Sequence, residues 1–231
     1  MKNWLFALIC LFSCCCAGVQ PVPHNPVVES EANTVALMIP KEQLGGAYGP
    51  VCAGVWVAEE WILTANHCVM DDAVTDEITG EEITPAQPVP KMHFVTTQEH
   101  NAPLYNSTVL YRDAKNDLAL LLATTWPVHT FAQVAPQNPV QGEAVHIVGH
   151  PLGLLWTYTV GTVSRIGTIS ISGDRIWLVL ETSVYHGNSG GGAFDDQGRL
   201  VGVCDALLPF DGQSLFIPAE TNFHFLKQSH L

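Results

Sequence analysis

The sequence predicts an all-β fold in two halves, and three observations carry that reading. Past residue 30 the chain breaks into short runs rich in Val, Ile, Thr and Trp, separated by Gly, Pro, Asn and Asp turns. Such runs fit the pleated, half-buried surfaces of a sandwich or barrel. Between two series of them, Thr125 to Pro139 holds three prolines and reads as the crossing from one β half to the other. Hydrophobic residues make up 47% of the 231 and charged residues only 13%, so a substantial core can be buried and wholesale disorder is excluded. The length fits one large domain or two small barrels that share a site.

The chain opens on a targeting segment. Lys2 precedes the apolar run Trp4 to Phe12, the length of a signal-peptide core and too short to span a bilayer. Its end has two readings. Cleavage near Ala17 or Gly18 would release a soluble protein, whereas Leu11-Phe12-Ser13-Cys14 resembles a bacterial lipobox that would leave Cys14 lipidated and the protein anchored to a membrane. Both imply export, to the periplasm or beyond. Residues 1–18 are therefore expected to be the signal, 19–30 a proline-rich polar tether, and 31–231 the folded domain.

The strands follow in order. In the first half, about 31–125, they are expected at Val35–Ile39, Ala53–Ala58, Trp61–Thr64, His93–Thr96, Thr108–Tyr111 and Leu118–Leu122. In the second, about 140–218, they are expected at Ala144–Val148, Thr157–Arg165, Trp177–Glu181, Gly192–Asp195, Leu200–Ala206 and Ser214–Pro218. Phe223, Phe225 and Leu226 give the tail, Ala219 to Lys227, the apolar positions of a short closing helix.

Charge and cysteine usage narrow the function. A formal charge of −13 argues against a nucleic-acid partner, which would need a basic stripe. Much of the acid is local, with Asp71, Asp72, Asp76, Glu77, Glu81 and Glu82 within twelve residues. They read as a solvated surface loop, since the spacing matches no EF-hand. Four of seven cysteines lie in the targeting segment, leaving Cys52, Cys68 and Cys204. An oxidising compartment favours one pair and one leftover. Cys52 and Cys68 flank a strand–turn–strand and are candidates to pair, while Cys204 sits in an apolar strand as a candidate buried thiol. No closely spaced ligand set suggests zinc.

Three segments carry chemistry. Gly187-Asn188-Ser189-Gly190-Gly191 sets a hydroxyl in a glycine-dense turn, where backbone N–H groups can crowd a carbonyl oxygen. A serine is a poor nucleophile without a base. Leu63-Thr64-Ala65-Asn66-His67-Cys68 offers one: an apolar strand ends and a histidine follows at the turn. In Asn116-Asp117-Leu118-Ala119-Leu120-Leu121 an acid opens an apolar strand, where it needs a partner and suits the role of holding an imidazole. Each segment alone has a bland reading as a turn, a packed histidine or a strand cap. Together, in the order His, Asp, Ser, they point to acyl transfer, and the order excludes the Ser, Asp, His arrangement of α/β-hydrolases.

These segments resemble those of the chymotrypsin/trypsin-like serine endopeptidase clan. Thr64-Ala65-Asn66-His67-Cys68 is similar to its Thr-Ala-Ala-His-Cys, the Asp117 segment to its Asn-Asp-Ile-Ala-Leu-Leu, and the Ser189 segment to its Gly-Asp-Ser-Gly-Gly. Asn188, Val148-Gly149-His150-Pro151-Leu152-Gly153 and Phe216-Ile217-Pro218 are closest to the bacterial HtrA-type branch. The resemblance covers nearly all of the mature chain. It implies two six-stranded antiparallel barrels meeting at the site, with Ser189 as nucleophile, His67 as base and Asp117 orienting it. It further implies an oxyanion hole from the N–H groups of Gly187 and Ser189, a Cys52–Cys68 disulfide, and no cofactor or metal.

Departures from the clan pattern are informative. Where digestive members place an aspartate before the nucleophile to receive a freed N-terminus, this chain has Asn188, so activation through an N-terminal salt bridge is not expected. HtrA-type proteases carry a C-terminal PDZ domain, whereas Leu231 falls about where the peptidase fold ends. Ser183 stands where trypsin-like members use aspartate to bind Lys or Arg, which favours a small or apolar P1 side chain. His186 and Asp205 are further candidates for the substrate pocket. The expected function is an exported serine endopeptidase acting on protein or peptide. The alternative is a catalytically silent binding or chaperone-like surface protein on the same fold.

Overall fold

Strands apolar on both faces organise this protein. In β8 (Leu118–Ala123), five of six residues are buried, and they divide by parity. Ala119 and Leu121 join the core of one barrel with Trp56, Ile62 and Phe94, while Leu118 and Leu120 join a second core with Phe194, Leu200, Val203 and Ile217. Alternate side chains of a strand point to opposite faces, so β8 lines a barrel on one side and the seam between barrels on the other. The computed structural model describes residues 25–40, 47–70, 74–75, 82–84, 87–97, 102–123, 130–169, 174–208 and 212–231.

The first barrel contains β1 (Thr34–Pro40), β2 (Tyr48–Ala58), β3 (Trp61–Ala65), β6 (Lys91–Val95), β7 (Tyr105–Asp113) and β8, closed in the order β1-β2-β3-β8-β7-β6. The second contains β9 (Ala144–Gly149), β10 (Thr157–Thr168), β11 (Ile176–Glu181), β12 (Gly192–Phe194), β13 (Leu200–Leu207) and β14 (Gln213–Pro218), closed as β10-β11-β14-β13-β12-β9. All pairings are antiparallel. Closure leaves neither sheet an unpaired edge. The fold class expected from sequence is therefore the observed one, and all twelve expected strands occur. A short hairpin, β4 (Val74–Thr75) with β5 (Glu82–Thr84), was not foreseen.

The closing helix α2 (Ala219–Gln228) lays Phe225 and Leu226 over the seam between the barrels. A second helix corrects the expected tether over residues 26–30, while residues 19–24 lie outside the described residues. Asn25 caps α1 (Pro26–Ala32) by accepting from the Val27 amide at 3.1 Å, and Pro26 takes the first turn, where a missing N–H costs nothing. Ser30 is fully buried, and the Glu31 carbonyl accepts the Trp156 indole N–H at 3.1 Å. Proline-rich composition suggested an extended linker, but at this position proline starts a helix.

The targeting segment, Cys14 and most of the acidic cluster (Asp71, Asp72, Asp76, Glu77 and Glu81) lie outside the described residues. Among the described residues no helix is long and apolar enough to cross a membrane. Cys52 and Cys68 form a disulfide with 6.0 Å between their Cα atoms, and Cys204 is a buried free thiol.

Candidate active site

His67 leaves the end of β3 on a 3-10 turn, Asn66–Val69. Asp117 grips that turn at three points. Its carbonyl accepts the Asn66 amide at 2.9 Å, Oδ1 accepts the His67 amide at 2.9 Å, and Oδ2 lies 2.6 Å from His67 Nδ1. A carboxylate only accepts, so in the neutral imidazole Nδ1 carries the proton and Nε2 keeps its lone pair. Asp117 itself is in the left-handed region, at φ 57°. The turn that holds it there is built by Asp113, whose Oδ1 accepts the amides of Lys115 and Asn116 at 3.0 and 3.1 Å.

Ser189 comes from the other barrel, in the turn before β12. Its carbonyl accepts the Ala53 amide of β2 at 2.8 Å, and Gly190 N–H donates to the Cys204 carbonyl of β13, also at 2.8 Å. Gly190 needs to be glycine: at φ 79° a Cβ would run into Thr64 Oγ1 and the Ala53 carbonyl. Ser189 Oγ sits 3.4 Å from the Asp205 carbonyl, a long contact. Ser189 and His67 line one cleft of about 380 Å³, together with Val184, His186, Asp205 and Leu207 among others.

The backbone ahead of Ser189 is fixed from outside. Tyr185 to Asn188 form a turn closed by Asn188 N–H to the Tyr185 carbonyl at 3.0 Å, with Gly187 at φ 101°. The His186 carbonyl is taken by the Leu152 amide at 2.8 Å. A trans peptide is planar, so the Gly187 N–H faces away from that carbonyl. Among the described residues, neither Gly187 N–H nor Ser189 N–H donates to a backbone carbonyl. Asn188 is buried against Gly149, where a Cβ would meet its Oδ1.

The electrostatics favour a histidine that takes up a proton readily. Burial opposes the imidazolium of His67, but the hydrogen bond and charge of Asp117, with Asp205 added and Arg175 subtracted, outweigh it. Its pKa is raised above the usual 6.5. Asp205 is pushed up to about 6 by burial and by the neighbouring Asp117, against the pull of Arg175 and His67. Ligand atoms of His67, Asp117 and Asp205 lie within 4.8 Å of one another. Both carboxylates are already bonded, Asp117 to His67 and Asp205 to Arg175 at 2.5 Å, so a cation would have to compete with both.

His67 and Ser189 thus line one cleft, with Asp117 bonded to His67 behind it and Gly187 in the turn that leads to Ser189. His186 is exposed and lines the cleft, as does Asp205, whose carboxylate is turned to Arg175. Ser183 lines a different pocket of about 320 Å³, with Ile147, Thr157 and Val160. Arg175 is the participant that sequence reasoning missed, because nothing in Asp174-Arg175-Ile176 marks it. His150 was read only as part of a loop motif. It is fully buried, accepting the Trp156 amide on Nδ1 and facing the Val35 carbonyl with Nε2, both at 3.0 Å.

A family model of the trypsin-like peptidase domain matches residues 52–203. The probable periplasmic serine endoprotease DegP-like of Rhizobium meliloti is 33% identical over 168 residues, 71% of this chain and 29% of its own. The periplasmic serine endoprotease DegP of Escherichia coli K12 is 24% identical over 147 residues, 62% of this chain and 31% of its own. The chain spans about a third of the length of the curated relatives it matches. In fold it is similar to the solved HtrA-type protease AlgW with tripeptide, at TM-score 0.67 and 18% identity, over 88% of this chain and 62% of that one.

Proposed function

Since the chain belongs to the trypsin-like peptidase domain family, we propose that it is an exported serine endopeptidase that works through an acyl-enzyme. The observation that carries this reading is the grip of Asp117 on His67, which leaves Nε2 unprotonated at the cleft that Ser189 also lines. Ser189 Oγ attacks the scissile carbonyl carbon while its proton passes to His67 Nε2. Asp117 keeps the imidazole in the required tautomer and stabilises its charged form. The N–H groups of Gly187 and Ser189 receive the oxyanion, and the Leu152 contact supports that orientation beforehand.

The tetrahedral adduct collapses as His67 returns the proton to the leaving amine, which leaves an ester on Ser189. Water then enters. His67 takes one of its protons as hydroxide adds to the ester carbonyl, and the proton goes back to Ser189 Oγ when the acid departs. The 3.4 Å contact of Ser189 Oγ with the Asp205 carbonyl belongs to the resting hydroxyl, which turns from that carbonyl to donate to His67 Nε2 when substrate binds.

The substrate class is protein or peptide. Val184, Ala206 and Leu207 give the cleft apolar walls, and the charge of Asp205 is answered by Arg175, which supports a small or apolar P1 side chain. Residues 1–18 act as the export signal, with Cys14 as the site of any lipid anchor. Intact-mass analysis of the mature N-terminus tests this, since a diacylglyceryl mass on Cys14 means anchoring and a start at Gly18 or Val19 rules it out.

Activity is tested by fluorophosphonate labelling of the wild type beside Ser189→Ala. Labelling of the wild type alone is expected. A wild-type serine that stays unmodified under all conditions overturns the reading in favour of a non-catalytic binding protein.

A further inference from the structure

We infer that Arg175 and Asp205 are a positioning pair that spans the barrel junction and sets the geometry and charge of the Asp117–His67 couple. The inference rests on the reading of His67 as general base given above. Arg175 Nη2 donates to two acceptors at once, the Asn116 carbonyl at 2.6 Å and Asp205 Oδ2 at 2.5 Å. Its guanidinium carbon lies 3.8 Å from the ring centroid of the buried Trp177, so the fork is held in place before it bonds. One residue of the second barrel thus clasps the turn of the first barrel that carries Asp117.

The other end of the pair reaches the serine turn. Asp205 follows Cys204, whose carbonyl and amide hold Gly190 and Gly191 at 2.8 Å each, and the Asp205 carbonyl faces Ser189 Oγ. Asp117 and Ser189 come from different barrels and share no short covalent path. Arg175 links them through Asn116 on one side and Asp205 on the other.

The charges argue the same way. Two carboxylates beside one imidazole repel each other, and a half-buried unpaired one would take a proton. Arg175 offsets that second charge. The charged and titratable groups around His67 are Asp117 ahead of β8, Asp205 on β13 and Arg175 ahead of β11, with His186 lining the same cleft. On its own turn, Asn66 takes the Arg112 guanidinium of β7 at 2.7 Å.

The test compares full-length wild type with Arg175→Gln, Arg175→Lys and Asp205→Asn. It uses kcat and KM on a peptide substrate, the pH profile of kcat/KM, and titration of the His67 imidazole by NMR. Arg175→Gln is expected to lower plateau kcat about tenfold through misplacement of the base, with KM within about twofold. Its acid limb and imidazole titration move to lower pH, because Asp205 without its partner takes a proton, and the charge lost there favoured the imidazolium more than Arg175 opposed it. Asp205→Asn moves both to lower pH, because a charge that favoured protonation is gone. Arg175→Lys recovers most of the rate, since one ammonium can donate to both acceptors. Melting shifts with an unmoved imidazole titration, or shifts of opposite sign in Arg175→Gln and Asp205→Asn, would reduce the pair to a structural tie and overturn the inference. If Arg175→Gln does not fold, the titrations of Asp205→Asn and Arg175→Lys decide. Absence of turnover in the wild type defeats the peptidase reading, whereas the NMR titration still reads the pair.

Discussion

The amide of Ala53 donates to the carbonyl of Ser189 at 2.8 Å, so the wall of the first barrel holds the serine turn of the second. Gly190 makes that approach possible, since its left-handed backbone and bare Cα let Thr64 and Ala53 come close. Gly190→Ala is expected to cost more than the roughly 1–2 kcal/mol of a left-handed non-glycine residue, because a clash with backbone is added. Urea melts and fluorophosphonate labelling of Ser189 check this. Unchanged stability with full labelling would contradict it.

Asp117→Asn preserves shape but leaves one side-chain acceptor for two donors, the His67 backbone N–H and Nδ1–H, and turns an NH2 donor towards the other. A fall in kcat of about 10⁴-fold is expected. His67 must be neutral to act as base, and its pKa is raised, so the wild-type acid limb of kcat/KM lies above 6.5. In the variant the limb moves down, because the largest favourable contributions to the imidazolium are removed. A limb at or below 6.5 in the wild type would show that Asp117 does not act on His67 in this way.

His150 predicts an acid-sensitive fold. Burial lowers its pKa from 6.5 to about 4, so over that interval the unfolded chain binds a proton that the folded one refuses. Stability is intact above pH 6.5 and falls towards pH 4, by about 3 kcal/mol at most. His150→Gln removes the titration and is expected to flatten the melting temperature over this range while lowering it at pH 7. A wild-type slope that the variant retains would assign the effect elsewhere.

The Cys52–Cys68 disulfide closes a loop of 16 residues that contains β3 and the His67 turn. Replacing both cysteines with alanine is expected to cost about 3 kcal/mol, or about 10 °C in melting temperature for a domain of this size. Calorimetry with and without reductant checks it. Cys204 is buried and its thiol pKa is pushed up, so alkylation of the folded protein should spare it.

The strands were legible because each is a local pattern of β-branched and apolar residues bounded by turn formers. Their pairing into two closed barrels came only through the family resemblance, since β3 with β8 joins segments over fifty residues apart. Asp117 and His67 were legible for the same reason, being fixed by turns their own flanks encode. Arg175 was not, because its partners Asn116 and Asp205 are 59 and 30 residues away. Ser183, counted as six residues before Ser189, lines the pocket of Ile147 and Thr157 and not the cleft of His67 and Ser189. Residues 26–32 reverse a compositional cue, since proline suits the first turn of a helix as well as a linker, and here the Asn25 cap fixes the helix.

The bond from Trp156 to the Glu31 carbonyl spans 125 residues of sequence. It gives the fold an order in time. Helix α1 precedes every described strand and so is synthesised before them, yet its docking partner lies at the start of the second barrel. The first barrel can close its own sheet by residue 123, but its leading end stays undocked until the chain has emerged past residue 156. A half-made chain therefore exposes α1 and the seam side of β8 together, and both are covered only when the second half arrives.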